Sequence, residues 1–397
     1  MFYQTSIKEE IEHILPEVIT FRRHFHTYPE LSGKETETSS YIQEVLKSNG
    51  IPFESGFFGS AVIAAIHGGL HGKTVALRAD MDALPVTETT GLPFSSQSNG
   101  VMHACGHDGH MAITLGAALV LNRMKETLPG TVKVIFQPAE EEAAIGGGRN
   151  IVKSGKLDDV SEIYGLHVWP ELPVGQIGLR PGYLMAASDR FYVHIKGKST
   201  HAAQPHNGID ALVAAAHWII DVQTMVSRET DPMENVVCTI GLMNAGTRYN
   251  VGVEDAYLEG TCRTYNPLLR DRMEKRLGEL LKGLDISFGT QSKLDYVRGH
   301  GATINTPECI DFLTGVGNSY LGAGHITKPP YPSMCAEDFS AYLEKIPGAF
   351  FWLGTGYEGC PALHHAGFHI DESILSTGVT MMAAAAAESL RRLSASE

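Results

Sequence analysis

Apolar residues recur at helical spacing through the first fifty positions: Ile7, Ile11, Ile14, Leu15, Val18 and Phe21, then Tyr41, Val45 and Leu46, so residues 7–49 read as helix. The period then changes. Residues 73–79, with Val75 and Leu77, read as a buried strand; residues 131–136, alternating Val132, Val134 and Phe136, read as a second, and residues 162–167 as a third. Between them residues 109–124 return to helical spacing, with Met111, Leu115, Ala118 and Leu119 on one side, which predicts an amphipathic helix; residues 148–154 predict a short one. Strands alternating with helices predict an α/β fold, a mainly parallel sheet sandwiched by helices.

Near residue 188 the pattern changes again. Residues 189–196 alternate as a strand, 209–226 form a strongly apolar helix, 235–242 and 256–263 are strands, 268–284 a charged helix and 292–297 a last strand. That order, βαββαβ, is the ferredoxin-like arrangement of a small α+β domain. Residues 306–322 and 373–393 return to helix. The reading is therefore a discontinuous α/β domain, 1–187 and 299–397, interrupted by an inserted domain, 188–298.

A chain of 397 residues suits two cores, and 43% hydrophobic with 19% charged residues is an ordinary globular composition. The formal net charge of −14 argues against nucleic acid or an anionic membrane as partner. No 18-residue apolar run is present, and residues 1–16 lack the basic head and apolar stretch of a signal peptide, so a cytoplasmic location is expected. The six cysteines are irregularly spaced, without a Cys-x-x-Cys pair; the default for each is a small buried hydrophobe, and only Cys105 has neighbours that lift it above that.

Those neighbours are His103, His107 and His110, which with Cys105 make four ligand-type side chains within eight residues. Cys105 and His107 converge only if the segment is a loop entering a helix, which Gly106 and Gly109 permit; His107 and His110, three apart, form a competing pair. Asp108 reads equally well as a helix N-cap. Glu140 and Glu141 follow the second strand, where adjacent residues point opposite ways, so one carboxylate can ligate while the other faces substrate. Asp80 or Asp82 at the first strand end could ligate or orient a ligand, His167 ends the third strand, and one of His364 and His365 could close the site. In the insert, His201, His206, Asn250 and Arg263 lie at element edges, and Arg263 could hold a substrate carboxylate. A rival reading makes Cys105 a nucleophile activated by histidine; another makes the chain a metal or amino acid binder, against which the presence of Glu140 argues.

The segments Leu77 to Pro85, His103 to His110, Gln137 to Glu141, Gly165 to Pro170, His201-Ala202-Ala203, Glu337-Asp338-Phe339 and Leu363-His364-His365 together resemble the M20 metallopeptidase family, in its aminoacylase and hippurate hydrolase branch. The resemblance implies two divalent metal ions, zinc foremost with manganese, cobalt or nickel as alternatives, held by Cys105, His107, Glu141, His167 and His364. It implies Glu140 as general base and acid for a metal-activated water, Asp80 behind the ligands, and an insert that serves as lid and dimerisation surface. His201 would reach the partner subunit's site and stabilise the oxyanion, and Asn250 would contact substrate; Arg263 and His206 stand beside them as the substrate-side candidates read from the insert. The implied activity is hydrolysis of N-acetyl or N-benzoyl amino acids by a homodimer or homotetramer, with a dipeptidase as alternative. Three positions depart from the family pattern. Arg78 stands where many relatives outside the branch carry a histidine; Asn250-Val251-Gly252-Val253 replaces Asn-Val-Ile-Pro; and Ala366 replaces a proline after the double histidine.

Overall fold

The computed structural model describes residues 2–395. The chain forms two compact units, one of Met1–Leu184, Ile304–Tyr331 and Asp338–Glu397, the other of Met185–Thr303 and Pro332–Glu337. The short segment 332–337, which the sequence pattern left in the first domain, thus groups with the second. No helix among the described residues is long and apolar enough to cross a membrane.

The first unit is built on an eight-stranded sheet in the order Phe53–Ser55, Val62–His67, Pro129–Gln137, Leu70–Asp80, Val160–Pro173, Gly348–Gly356, Ile177–Gly178, Ile326–Thr327. Its central pairs are parallel and the flanking pairs of Val62–His67 antiparallel, so the sheet is mainly parallel but mixed. Gly348–Gly356 has no alternation, because eight of its nine residues are buried; parallel strands covered on both faces read as continuous apolar runs.

Helices Gln4–Thr27, His107–Arg123 and Ile374–Ser394 pack against one another, and the last also against the sheet. The expected first helix is two, Gln4–Thr27 and Thr36–Ser48, broken around Pro29. His107–Arg123 is not amphipathic: every residue from His107 to Leu121 is buried. Its neighbours explain this, since Gln4–Thr27 covers one side, Ile374–Ser394 another and the sheet strands a third. Gly116 permits the close approach, for a Cβ there would lie 2.8 Å from both Val18 and Val379 side chains.

The second unit carries a four-stranded antiparallel sheet in the order Val236–Ala245, Asp255–Thr264, Ala187–Lys196, Gln291–Arg298. Helices Ala211–Thr224 and Pro267–Phe288 complete a βαββαβ order. Ala187–Lys196 alternates cleanly, burying Phe191, Val193 and Ile195. Asp189, on that same face, is buried but answered by Arg270 at 2.6 Å and by the Tyr296 hydroxyl at 2.8 Å. All six cysteines are free; Cys335, on the 332–337 segment, is exposed rather than buried, because that segment is loop.

Candidate metal centre

Strand register brings the first group of side chains to one level. In the parallel pairs Asp80 faces Gln137 and Arg78 faces Gly165, so Asp80, the start of the Glu140 segment and His167 lie side by side. His167 does not end its strand, which runs on to Pro173; it lies just beyond the point where the Leu70–Asp80 strand stops pairing. Past Gln137 the chain turns sharply, with Ala139 at φ +54° and its N–H on Glu35 Oε1 at 2.9 Å.

Cys105 precedes a left-handed Gly106, φ +88°, which starts the His107 helix. A Cβ at Gly106 would sit 2.4 Å from Val168 Cγ2, so sterics as well as backbone conformation demand glycine. The turn aims both Cys105 and His107 at His167: Cys105 Sγ lies 3.3 Å from His167 Nε2, and the three ligand atoms lie within 4.8 Å of one another. Cys105, Glu141 and His364 form a second trio by the same measure, and His107, Glu140 and Glu141 a third. His364 is held at φ +67° with its N–H on Ala104 O (2.8 Å) and its Nε2 3.2 Å from Glu141 Oε1. His365 turns elsewhere, its Nδ1 accepting the Gly367 N–H.

Two of the clustered histidines stand outside the Cys105 trios, although His110 forms a further group with Asp80 and His107. His110 uses both nitrogens, Nδ1 on Asp80 Oδ1 at 2.6 Å and Nε2 accepting the Val168 N–H at 2.9 Å. His103 is buried, has no hydrogen-bond partner among the described residues, and joins none of the trios; burial pushes its pKa down to about 3, so it is neutral. Asp108 is not an N-cap. It lies inside the helix, bonds His26 Nδ1 at 2.7 Å and forms an ion pair with Arg22, whose Nε is 3.0 Å away.

Behind His107 stands the main chain of Asp82, whose carboxylate comes to 3.4 Å of His107 Nδ1. His107 Nδ1 donates to the Asp82 carbonyl at 2.8 Å, and Asp82 Oδ2 accepts the Glu141 N–H at 2.9 Å and the Ser32 hydroxyl at 2.7 Å. Asp80 is committed to Arg78 and His110, and comes only to 3.9 Å of His107 Nε2. Arg78 and Asp338, to which sequence reasoning assigned no role, are the buried partners of this region. Asp82 was visible in the sequence as the residue two beyond Asp80, on the same face of an extended chain; Asp338 had no local signal beyond the Glu-Asp-Phe match.

The electrostatics favour cations here. Burial opposes a charge on His107, but Asp80, Asp82 and Glu141 outweigh it and raise its pKa to about 10. Burial, then Glu141, Glu140 and Asp80, push the Cys105 thiol well up, while burial keeps His167 neutral. Cys105 and His167 are therefore not a thiolate–imidazolium pair, which weakens the nucleophile reading. His107 Nε2 is buried with no hydrogen-bond partner among the described residues, and Glu141 Oε1, equally buried, faces His364 Nε2 at 3.2 Å without a hydrogen bond of good geometry. An orphan such as His107 Nε2 costs about 1–3 kcal/mol. Divalent cations at the trios would engage both atoms, hold Cys105 as thiolate and offset the carboxylates. The donors present thus fit such ions.

In the second unit His201 pairs with Val251 across a two-residue ladder, and the Asn250 carbonyl accepts the Ala202 N–H at 3.2 Å. His201 and Asn250 are thus brought together; His206 lies on an exposed turn, and Arg263 on the Asp255–Thr264 strand.

Comparison with known proteins agrees with this chemistry. The profile of peptidase family M20/M25/M40 matches residues 76–388. The chain is 40% identical, over 90% of its length and 85% of the relative's, to N-acetyl-L-cysteine deacetylase of Bacillus subtilis. It is 38% identical, over 92% and 97%, to N-acetyldiaminopimelate deacetylase of Halalkalibacterium halodurans. Among solved structures the YXEP protein of Bacillus subtilis, described as a dinuclear metal binding peptidase of the M20 family, superposes with a TM-score of 0.84 at 36% identity, covering 96% of this chain and 99% of that one. The chain belongs to peptidase family M20/M25/M40, in its amidohydrolase branch, and is an amide-hydrolysing enzyme.

Proposed function

We propose that the enzyme hydrolyses the amide of N-acyl amino acids, of N-acetyl or N-benzoyl type, releasing a carboxylic acid and a free amino acid. The observation that carries the reading is Glu140: a buried carboxylate beside His107 and Glu141, in addition to the donors of the two Cys105 trios. A binding site needs the trios alone; a further carboxylate at their edge is what proton transfer requires.

Cys105, His107, Glu141, His167 and His364 would hold two divalent ions, with zinc the best match to mixed sulfur, nitrogen and oxygen donors and manganese, cobalt or nickel next. When bound, such ions acidify water and polarise a carbonyl. Glu140 takes the proton of the attacking water and returns it to the leaving amine. His201 supplies an N–H to the oxyanion: its Nδ1 accepts the Ala203 N–H at 3.1 Å, which places the ring proton on Nε2. Asn250, Arg263 and His206 are assigned to substrate contact. Both named relatives are deacetylases of acylated amino acids, which supports this substrate class. A dipeptidase is the second reading, favoured by the peptidase description of the solved neighbour.

Amine release from N-acetyl and N-benzoyl amino acids and from free dipeptides, with zinc, cobalt or manganese and with chelator, tests the proposal. Chelator-sensitive release from acyl amino acids supports it; preference for dipeptides replaces it with the peptidase. Glu140→Gln is expected to lower kcat by about 10²–10⁴-fold with metal content unchanged.

A further inference from the structure

We propose that Arg78 and Asp338 are positioning residues that hold the Glu140 carboxylate for proton transfer, an inference that rests on Glu140 as the base. Arg78 is 1% exposed, near the end of the central Leu70–Asp80 strand. Its planar guanidinium reaches three acceptors on three edges: Nε to Gln137 Oε1 at 2.9 Å, Nη1 to Asp80 Oδ2 at 2.7 Å and Nη2 to Asp338 Oδ1 at 2.6 Å. A lysine cannot reproduce that fork. The other Asp338 oxygen accepts Gln137 Nε2 at 2.7 Å and the Gly148 N–H at 2.8 Å. With both carboxylate oxygens pinned, the Asp338 backbone is fixed, and its N–H points at Glu140 Oε1, 3.3 Å away.

The same network grips the root of the Glu140 segment. Gln137, three residues before Glu140, is held at its Oε1 by Arg78 and by the Tyr342 hydroxyl (2.9 Å), and at its Nε2 by Asp338. The base is thus located at both ends by one set of buried groups: the chain entering it through Gln137, and its carboxylate through the Asp338 N–H. A buried ion pair is poor cement, because apolar side chains of similar volume stabilise a fold as well or better. What Arg78 provides that apolar packing cannot is a directed hydrogen bond that holds the Asp338 carboxylate in one orientation beside the base. An error of about 1 Å in a reacting group is enough to cost ~10²-fold in rate.

The test compares Arg78→Lys, Asp338→Asn, Glu140→Gln and the double variant Glu140→Gln/Arg78→Lys in the metal-loaded enzyme. The measurements are kcat and KM on an N-acetyl amino acid, bound metal by elemental analysis, and the thermal midpoint. The expected result is a kcat lower by ~10²-fold in Arg78→Lys and Asp338→Asn, with KM and metal stoichiometry close to the parent. The double variant should be no slower than Glu140→Gln alone, since residues acting as a unit are not additive. Unchanged kcat in the Arg78 and Asp338 variants, with Glu140→Gln inactive, overturns the positioning role and leaves Glu140 as base. Substantial turnover by Glu140→Gln overturns the base assignment itself and this inference with it. A fall in kcat accompanied by lost metal or a parallel rise in KM assigns the pair to structure and overturns the proposal. If Arg78→Lys does not fold, the shape-conserving Asp338→Asn decides alone by the same readings.

Discussion

At the scale of single residues, the centre is shaped by positions whose conformation or pairing few substitutes can supply. Gly106, at φ +88° and against Val168, is one. Gly106→Ala incurs the left-handed penalty of about 1–2 kcal/mol before the steric contact is added. A lower unfolding midpoint and weaker zinc binding are expected together, because Cys105 and His107 flank the turn; a variant with parental stability and zinc affinity would contradict this. Asp82 is a second such position. Its carboxylate anchors the Glu141 N–H and the Ser32 hydroxyl, so Asp82→Ala should weaken metal binding about 10–100-fold in a competitive chelator titration, although the His107 bond to the residue 82 carbonyl is kept.

Elements carry a different kind of constraint. The loop between the Leu70–Asp80 strand and the His107 helix is tied down by Glu88, whose carboxylate accepts from His26 Nε2 at 3.2 Å and from the Ser96 N–H at 2.6 Å. Burial acts to raise the Glu88 pKa, but these bonds and the Thr90 hydroxyl hold it at about 2; burial acts to lower His26, but Asp108 and Glu88 raise it above 6.5. The signs follow. The Glu88 contribution is complete above its unfolded value of 4.5 and is lost as pH falls toward about 2; the His26 contribution is complete below 6.5 and is lost as pH rises through its raised value. Glu88→Gln should therefore flatten the acid limb of the unfolding midpoint measured against pH between 4.5 and 2. Equal slopes in parent and variant would refute the tie. In the C-terminal helix the run Ala383 to Ala387 is wholly buried, so Ala385→Leu should destabilise by about 1–3 kcal/mol through overpacking.

For the whole molecule, bound metal and folding are linked. A ligand held by the native state at ~100 times its Kd adds about 2.7 kcal/mol of stability, so chelation should lower the thermal midpoint as well as abolish turnover. Association should fall to the second unit if the enzyme is a homodimer: the helix Ala211–Thr224 leaves Val213 46% and Ile220 62% exposed. Sedimentation of Ile220→Asp as a monomer, beside an associated parent, would support that; an unchanged sedimentation coefficient would not.

The sequence by itself determined what period and residue type encode. The alternation of the Ala187–Lys196 strand, the helical spacing of the first helix and the crowd of ligand-type residues from His103 to His110 are local properties, and each can be seen one segment at a time. The Gly348–Gly356 strand was not visible, because a strand buried on both faces has lost its alternation. The His107–Arg123 helix read as one-sided only because the helices that cover its other faces come from the two ends of the chain. Sorting the site depended on tertiary structure for the same reason. His107 and His110 are equivalent by spacing, and only Asp80 and the Val168 N–H, 30 and 58 residues from His110, show that one of them is already satisfied. Arg78 and Asp338 lie 260 residues apart and meet through a register that no local pattern encodes. Ligand types follow from side-chain chemistry, which is written in the sequence; which nitrogen or carboxylate remains available follows from the hydrogen bonds made by its neighbours, and those exist only after the chain has folded.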